Sequence, residues 1–104
     1  TLVPDFANAF LTGGVGSAAA RAPAARAADG SFAIIYTRDI RNLTVNIGLL
    51  AGSQVRARWY DPTSGSFATA SGSPFAATGS RIFRPIGNNS RGKADWVLVL
   101  DALP

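Results

Sequence analysis

The stretch Val55-Arg56-Ala57-Arg58-Trp59-Tyr60-Asp61-Pro62-Thr63-Ser64-Gly65 decides the fold. Side chains on an extended strand alternate between faces, so Val55, Ala57 and Trp59 fall on one side and Arg56, Arg58 and Tyr60 on the other. The first set reads as buried and the second as wet. The run then stops at a turn. Pro62 presets φ, the Asp61 carboxylate is expected to accept from the Thr63 or Ser64 amide, and Gly65 supplies the left-handed conformation a reversal needs. A return strand follows near Phe67. Trp59, Asp61, Pro62 and Gly65 are thus structural, and Tyr60 is the better-placed aromatic platform for a ligand.

The same period recurs on both sides of this hairpin. Asn42 to Ile47 alternates with Leu43, Val45 and Ile47 inward and Asn42, Thr44 and Asn46 outward. Phe32 to Tyr36, after the turn signal Asp29-Gly30, and Trp96 to Leu100 are apolar without alternation, as central strands buried on both faces are. Weaker strands are expected near Ser66 to Ala70 and Arg81 to Arg84, with Phe75 and Phe83 reaching the core. Trp59 and Trp96 both read as core. Seven to eight short strands separated by turn signals predict an all-β, antiparallel sandwich over residues 15–104.

The remaining elements are the N-terminal ones. Over residues 1–14, Pro4 and Asp5 suit a helical first turn, Phe6 and Phe10 share a helical face, and Gly13-Gly14 would end the element, so a short helical segment is expected. The alanine-rich run of residues 15–28 carries Pro23, which breaks a helix. An irregular edge strand is expected there, over Ser17 to Arg21 or Ala24 to Ala28, with Pro23 on an unpaired edge.

Composition narrows the chemistry. The chain has 104 residues, enough for one core, with no cysteine, histidine or glutamate. A thiolate, an imidazole base and the usual imidazole metal ligand are therefore missing, and no cofactor or metal site is expected. The net charge of +4 comes from nine arginines and one lysine spread along the chain. No basic helix, ribbon or aromatic RNA-binding signature accompanies it, which argues against nucleic acid. No apolar run has the roughly 20 residues of a membrane span. Asp61 and Asp95 are the carboxylates to weigh for glycoside hydrolysis, which commonly needs a pair, but turn capping and arginine pairing account for both, so catalysis by this chain is not expected. Asn42-Leu43-Thr44 and Asn88-Asn89-Ser90 fit the glycan acceptor pattern, a triplet common by chance. A chain that opens on Thr1 without any methionine is expected to be a piece of a longer polypeptide.

Three segments in order, Asp29-Gly30-Ser31-Phe32-Ala33-Ile34-Ile35-Tyr36, Trp59-Tyr60-Asp61-Pro62-Thr63-Ser64-Gly65 and Asp95-Trp96-Val97-Leu98-Val99-Leu100, resemble the family called the putative collagen-binding domain. The likeness runs from about Pro4 to Ala102. The resemblance implies a β-sandwich at the C-terminus of secreted or periplasmic bacterial glycoside hydrolases of the apiosidase-like group, following a (β/α)8 catalytic barrel that holds the catalytic carboxylates. It implies a non-catalytic accessory domain whose partner is that barrel. The alternative is a binding module for polysaccharide or a collagen-like chain, using Arg56, Arg58 and Tyr60 on the wet face of the deciding strand.

Overall fold

The computed structural model describes residues 2–4, 10–13, 24–62, 64–70, 75–76, 78–85, 87, 92 and 95–103. Among these are ten strands: β1 Leu2–Pro4, β2 Leu11–Gly13, β3 Ala24–Ala27, β4 Phe32–Thr37, β5 Leu43–Asn46, β6 Gln54–Asp61, β7 Ser66–Thr69, β8 Phe75–Ala76, β9 Ser80–Phe83 and β10 Trp96–Leu103. Seven form one sheet in the order β1-β3-β4-β10-β6-β7, with β8 also on β6, and three form a second in the order β2-β5-β9. Every described pairing is antiparallel. The expected all-β sandwich is the observed fold.

Period two sets the core. Ala33 and Ile35 of β4, Val55, Ala57 and Trp59 of β6, and Leu98 and Leu100 of β10 point from the large sheet onto Leu11, Leu43, Val45 and Phe83 of the small one. Phe10, Ile47, Leu50 and Phe75 close the gaps between them. Strand β10 lies between β4 and β6, which explains its unbroken apolar run: Leu98 and Leu100 are buried inward while Val97 and Val99 occupy the opposite face, each half-buried.

Two expectations are corrected at the N-terminus. Where a short helical segment is expected over residues 1–14, Leu2–Pro4 pairs with β3 and Leu11–Gly13 pairs with β5; residues 5–9, including Phe6, lie outside the described residues. Phe10 is fully buried, and its carbonyl accepts from the Asn46 amide at 2.7 Å. Extended backbone that finds ladder partners in a neighbouring strand outweighs the weak preference of a one-turn helix. The strand at Ala24–Ala27 is not an edge: it pairs with β4 on one side and β1 on the other. Ser17 to Arg21 and Pro23 lie outside the described residues.

The turn after β6 is built mainly on the main chain. The amides of Ser64 and Gly65 donate to the Asp61 carbonyl at 3.3 and 2.8 Å, and Gly65 has φ of +77°, a conformation that favours glycine. Thr63 lies outside the described residues. Asp61 itself is 3 % exposed.

The link from β4 to β5 is held by a fork. Arg41 donates to both carboxylate oxygens of Asp39, through Nε to Oδ1 and through Nη2 to Oδ2, the latter at 2.8 Å, and the Thr37 hydroxyl donates to the Asp39 carbonyl at 2.8 Å. The hydrogen bond from Arg41, ahead of its charge, holds the Asp39 carboxyl below its ordinary 3.8. A carboxyl depressed in the folded state contributes stability that is complete above its unfolded pKa and is lost as pH falls through the folded one. Asp39→Asn should therefore flatten the fall in stability below about pH 4, read from urea midpoints across that range. The flattening is partial, because the Ser31 side chain and amide lower Asp29 in the same direction. An unchanged acid limb would refute the role of the fork.

Candidate functional site

Antiparallel register places directly opposed residues on one face of a sheet, and the register of the large sheet defines its outer face row by row. One row runs Tyr36, Val97, Tyr60, Phe67 across β4, β10, β6 and β7. The next runs Ala25, Ile34, Val99, Arg58, Thr69 from β3 to β7. A third holds Phe32, Asp101 and Arg56. Solvent-facing positions of an antiparallel sheet are ordinarily polar. Here Phe32, Ile34, Tyr36 and Phe67 are 39, 36, 39 and 51 % exposed, and they continue through Val97 and Val99 into one apolar strip across the sheet.

The three residues expected to contact a ligand lie together on this face. One Asp101 carboxylate oxygen accepts from Arg56 Nη2 at 3.1 Å and from Arg58 Nη2 at 3.0 Å. Arg58 extends the other way over Phe67, its Cζ 4.4 Å from the ring centre, and Tyr60 stacks on the same ring at 5.0 Å between centroids. The buried Arg58 Nε has no hydrogen-bond partner among the described residues. Two arginines against one carboxylate leave the cluster with one net positive charge, flanked by Tyr60 and Phe67. Such a surface can pack against apolar side chains and hydrogen-bond acceptors at once. The contributions of Phe67 and Asp101 are absent from the reading of the deciding strand, because both come from other strands.

Trp59 points the opposite way and is 4 % exposed, meeting Trp96 edge-to-face with ring centres 6.3 Å apart at 67°. Trp96 is half-buried against the core, and its indole N–H donates to the Gly87 carbonyl at 2.8 Å. Asp61 and Asp95 sit at one end of the β6/β10 pair, one and two residues beyond the opposed Tyr60 and Val97. Asp61 is closed off from solvent, and both carboxylates' residues are engaged in interactions with the rest of the chain. Among the described residues, no group of three or more His, Cys, Asp or Glu is placed to hold a metal, and no helix is long and apolar enough to cross a membrane.

The fold is similar to part of solved glycoside hydrolases. One, titled a glycoside hydrolase, superposes with a TM-score of 0.78 at 25 % identity, over 97 % of this chain and 21 % of its own. A glycoside hydrolase family 5 protein from Bacteroides vulgatus superposes with a TM-score of 0.79 at 22 % identity, over 97 % of this chain and 20 % of its own, a likeness of fold. The chain thus spans about a fifth of the length of these structures, as an accessory domain does. No curated protein matches it. The family model described as "Putative collagen-binding domain of a collagenase" matches residues 3–101, nearly the whole chain, and the protein belongs to that family.

Proposed function

We propose that this domain is the non-catalytic C-terminal module of a secreted or periplasmic bacterial glycoside hydrolase, and that it packs its outer sheet face on the catalytic barrel and stabilises it. The observation that carries the reading is the apolar strip Phe32, Ile34, Tyr36, Val97, Val99 and Phe67. Exposed apolar surface contiguous over several strands marks a surface that another protein covers. The match to a fifth of longer glycoside hydrolases supports a catalytic domain of the same chain as that partner. Contacts between domains of one chain commonly bury some 600–1,500 Å2, a scale that one face of a seven-stranded sheet can meet.

Deleting the domain from the parent enzyme should lower its melting temperature by several degrees. The double change Ile34→Asp with Tyr36→Asp should lower the melting temperature of the parent enzyme by more than it lowers that of the isolated domain, in which these outward side chains, 36 and 39 % exposed, lose only contacts within their own sheet. A parent enzyme whose melting temperature ignores the deletion would refute the reading.

A second reading rests on the Tyr60/Phe67/Arg58 cluster, which offers the kind of aromatic surface that polyproline-type chains and sugar faces pack on. In it the domain binds collagen-like chains or polysaccharide directly. Titration of the isolated domain with collagen and with pectin fractions separates the two: saturable binding that disappears in Tyr60→Ala supports direct recognition, and flat titrations favour the docking role.

A further inference from the structure

The apolar strip and the charged cluster divide the outer face of the large sheet between them. Along the row Ala25, Ile34, Val99, Arg58, Thr69 the side chains turn from apolar to charged between β10 and β6. In the next row Phe32 gives way to Asp101 and Arg56. The strip crosses this boundary only at Tyr60 and Phe67, and there the chain covers its own rings: Tyr60 packs on Phe67 with 5.0 Å between centroids, and Arg58 lays its guanidinium 4.4 Å from the centre of the same ring. A second domain that covered Phe67 would also take Arg58 out of water. Arg56 and Arg58 share one carboxylate, Asp101, at 3.1 and 3.0 Å, so the cluster carries one net positive charge, and burying an unbalanced charge is costly. Covering the apolar side incurs no such cost.

We propose that the docking footprint ends at β6: the catalytic domain covers β3, β4 and β10 around Ile34 and Val99, and the β6–β7 part of the face, with Tyr60, Phe67 and Arg58, stays in solvent in the assembled enzyme. This deepens the docking reading and rests on it. Area supports the boundary. Three strands about 4.8 Å apart, over the six residues of β4 at about 3.4 Å each, make a plane of roughly 14 by 20 Å, near 300 Å2 on each partner. Counted on both sides that is about 600 Å2, the lower end of what domain contacts in one chain bury, so the apolar part suffices without the charged one. The division is also that of protein interfaces in general, whose centres are depleted of charge and whose rims are polar and wet. The Tyr60/Phe67/Arg58 surface then lies beside the catalytic domain rather than beneath it, so docking leaves that surface free for a further ligand.

The chain has no cysteine, so single cysteines report the footprint. Ile34→Cys and Thr69→Cys lie in one row, three strand spacings or about 14 Å apart, and Tyr36→Cys is a second position on the covered part. Iodoacetamide labelling of each variant, followed peptide by peptide by mass spectrometry, is compared between the 104-residue chain and the parent enzyme. Ile34→Cys and Tyr36→Cys should be alkylated about tenfold or more slowly in the parent, as for a contact that opens only part of the time, and Thr69→Cys equally fast in both. Equal slowing of Thr69→Cys would overturn the proposal by carrying the footprint across the charged cluster. So would unslowed labelling of both Ile34→Cys and Tyr36→Cys. Deletion of the domain then separates the causes: a parent whose melting temperature still falls docks through another surface, and one whose melting temperature is unmoved has lost the docking reading as well.

Discussion

Trp59→Ala is expected to destabilise the domain by about 3–5 kcal/mol, the range for emptying a large aromatic site in a core. The side chain is 4 % exposed on the inner face of β6, a strand paired on both sides, and its loss removes the edge contact with Trp96. That cost is a large part of the roughly 5–15 kcal/mol that holds a typical domain together. Tyr60→Ala, one residue on, removes an outer-face ring that is half-buried and stacks on Phe67. It should cost about 1 kcal/mol, the scale of one aromatic pair. Urea denaturation of the two variants measures the contrast, and a Tyr60 variant more damaged than the Trp59 variant would mean that the faces of β6 are assigned the wrong way round.

Gly52→Ala is the second large effect, and its cause lies in backbone rather than side-chain packing. Just before β6 the chain passes so close to the end of β10 that a Cβ on Gly52 would stand 2.1 Å from the Leu103 carbonyl oxygen and 2.7 Å from its nitrogen. The obstacle cannot swing aside as a side chain can. The Leu103 carbonyl accepts from the Ser53 amide at 2.9 Å, and Leu103 is opposed to Gln54 in the β10/β6 ladder. Relief requires moving one strand end off the other. The cost should reach or exceed the top of the roughly 1–3 kcal/mol seen for overpacking, and each kcal/mol corresponds to about 4–8 °C in a domain near this size. Gly87→Ala is the control, since nothing lies within 4 Å of the Cβ it would add. Equal melting temperatures for the two variants would contradict the close approach of Gly52 to β10.

The alternation in Val55 to Tyr60 and in Asn42 to Ile47, and the unbroken apolar runs at Phe32 to Tyr36 and Trp96 to Leu100, were enough to specify an all-β sandwich and most of its core. They are local signals: a side chain's face follows from its position in the strand. The same signal placed Arg56, Arg58 and Tyr60 together on one face. It did not reach the N-terminus, where Phe10 fits a helical stripe and a strand equally well. That choice was made by Leu11 opposing Val45, a partner 34 residues away. The edge assignment of Ala24–Ala27 failed for a similar reason, since only the arrival of β1 beside it makes the strand internal.

The chemistry of the outer face belongs to tertiary structure in the same way. Asp101 reaches Arg56 and Arg58 across 45 and 43 residues, and Phe67 becomes part of the strip only through its pairing with Tyr60. Sequence alone determined which residues alternate, where the chain turns and which catalytic groups are missing, because backbone geometry and composition act within a few residues. Strand order and register decided what covers what, because hydrogen-bonded ladders join segments that no local preference links.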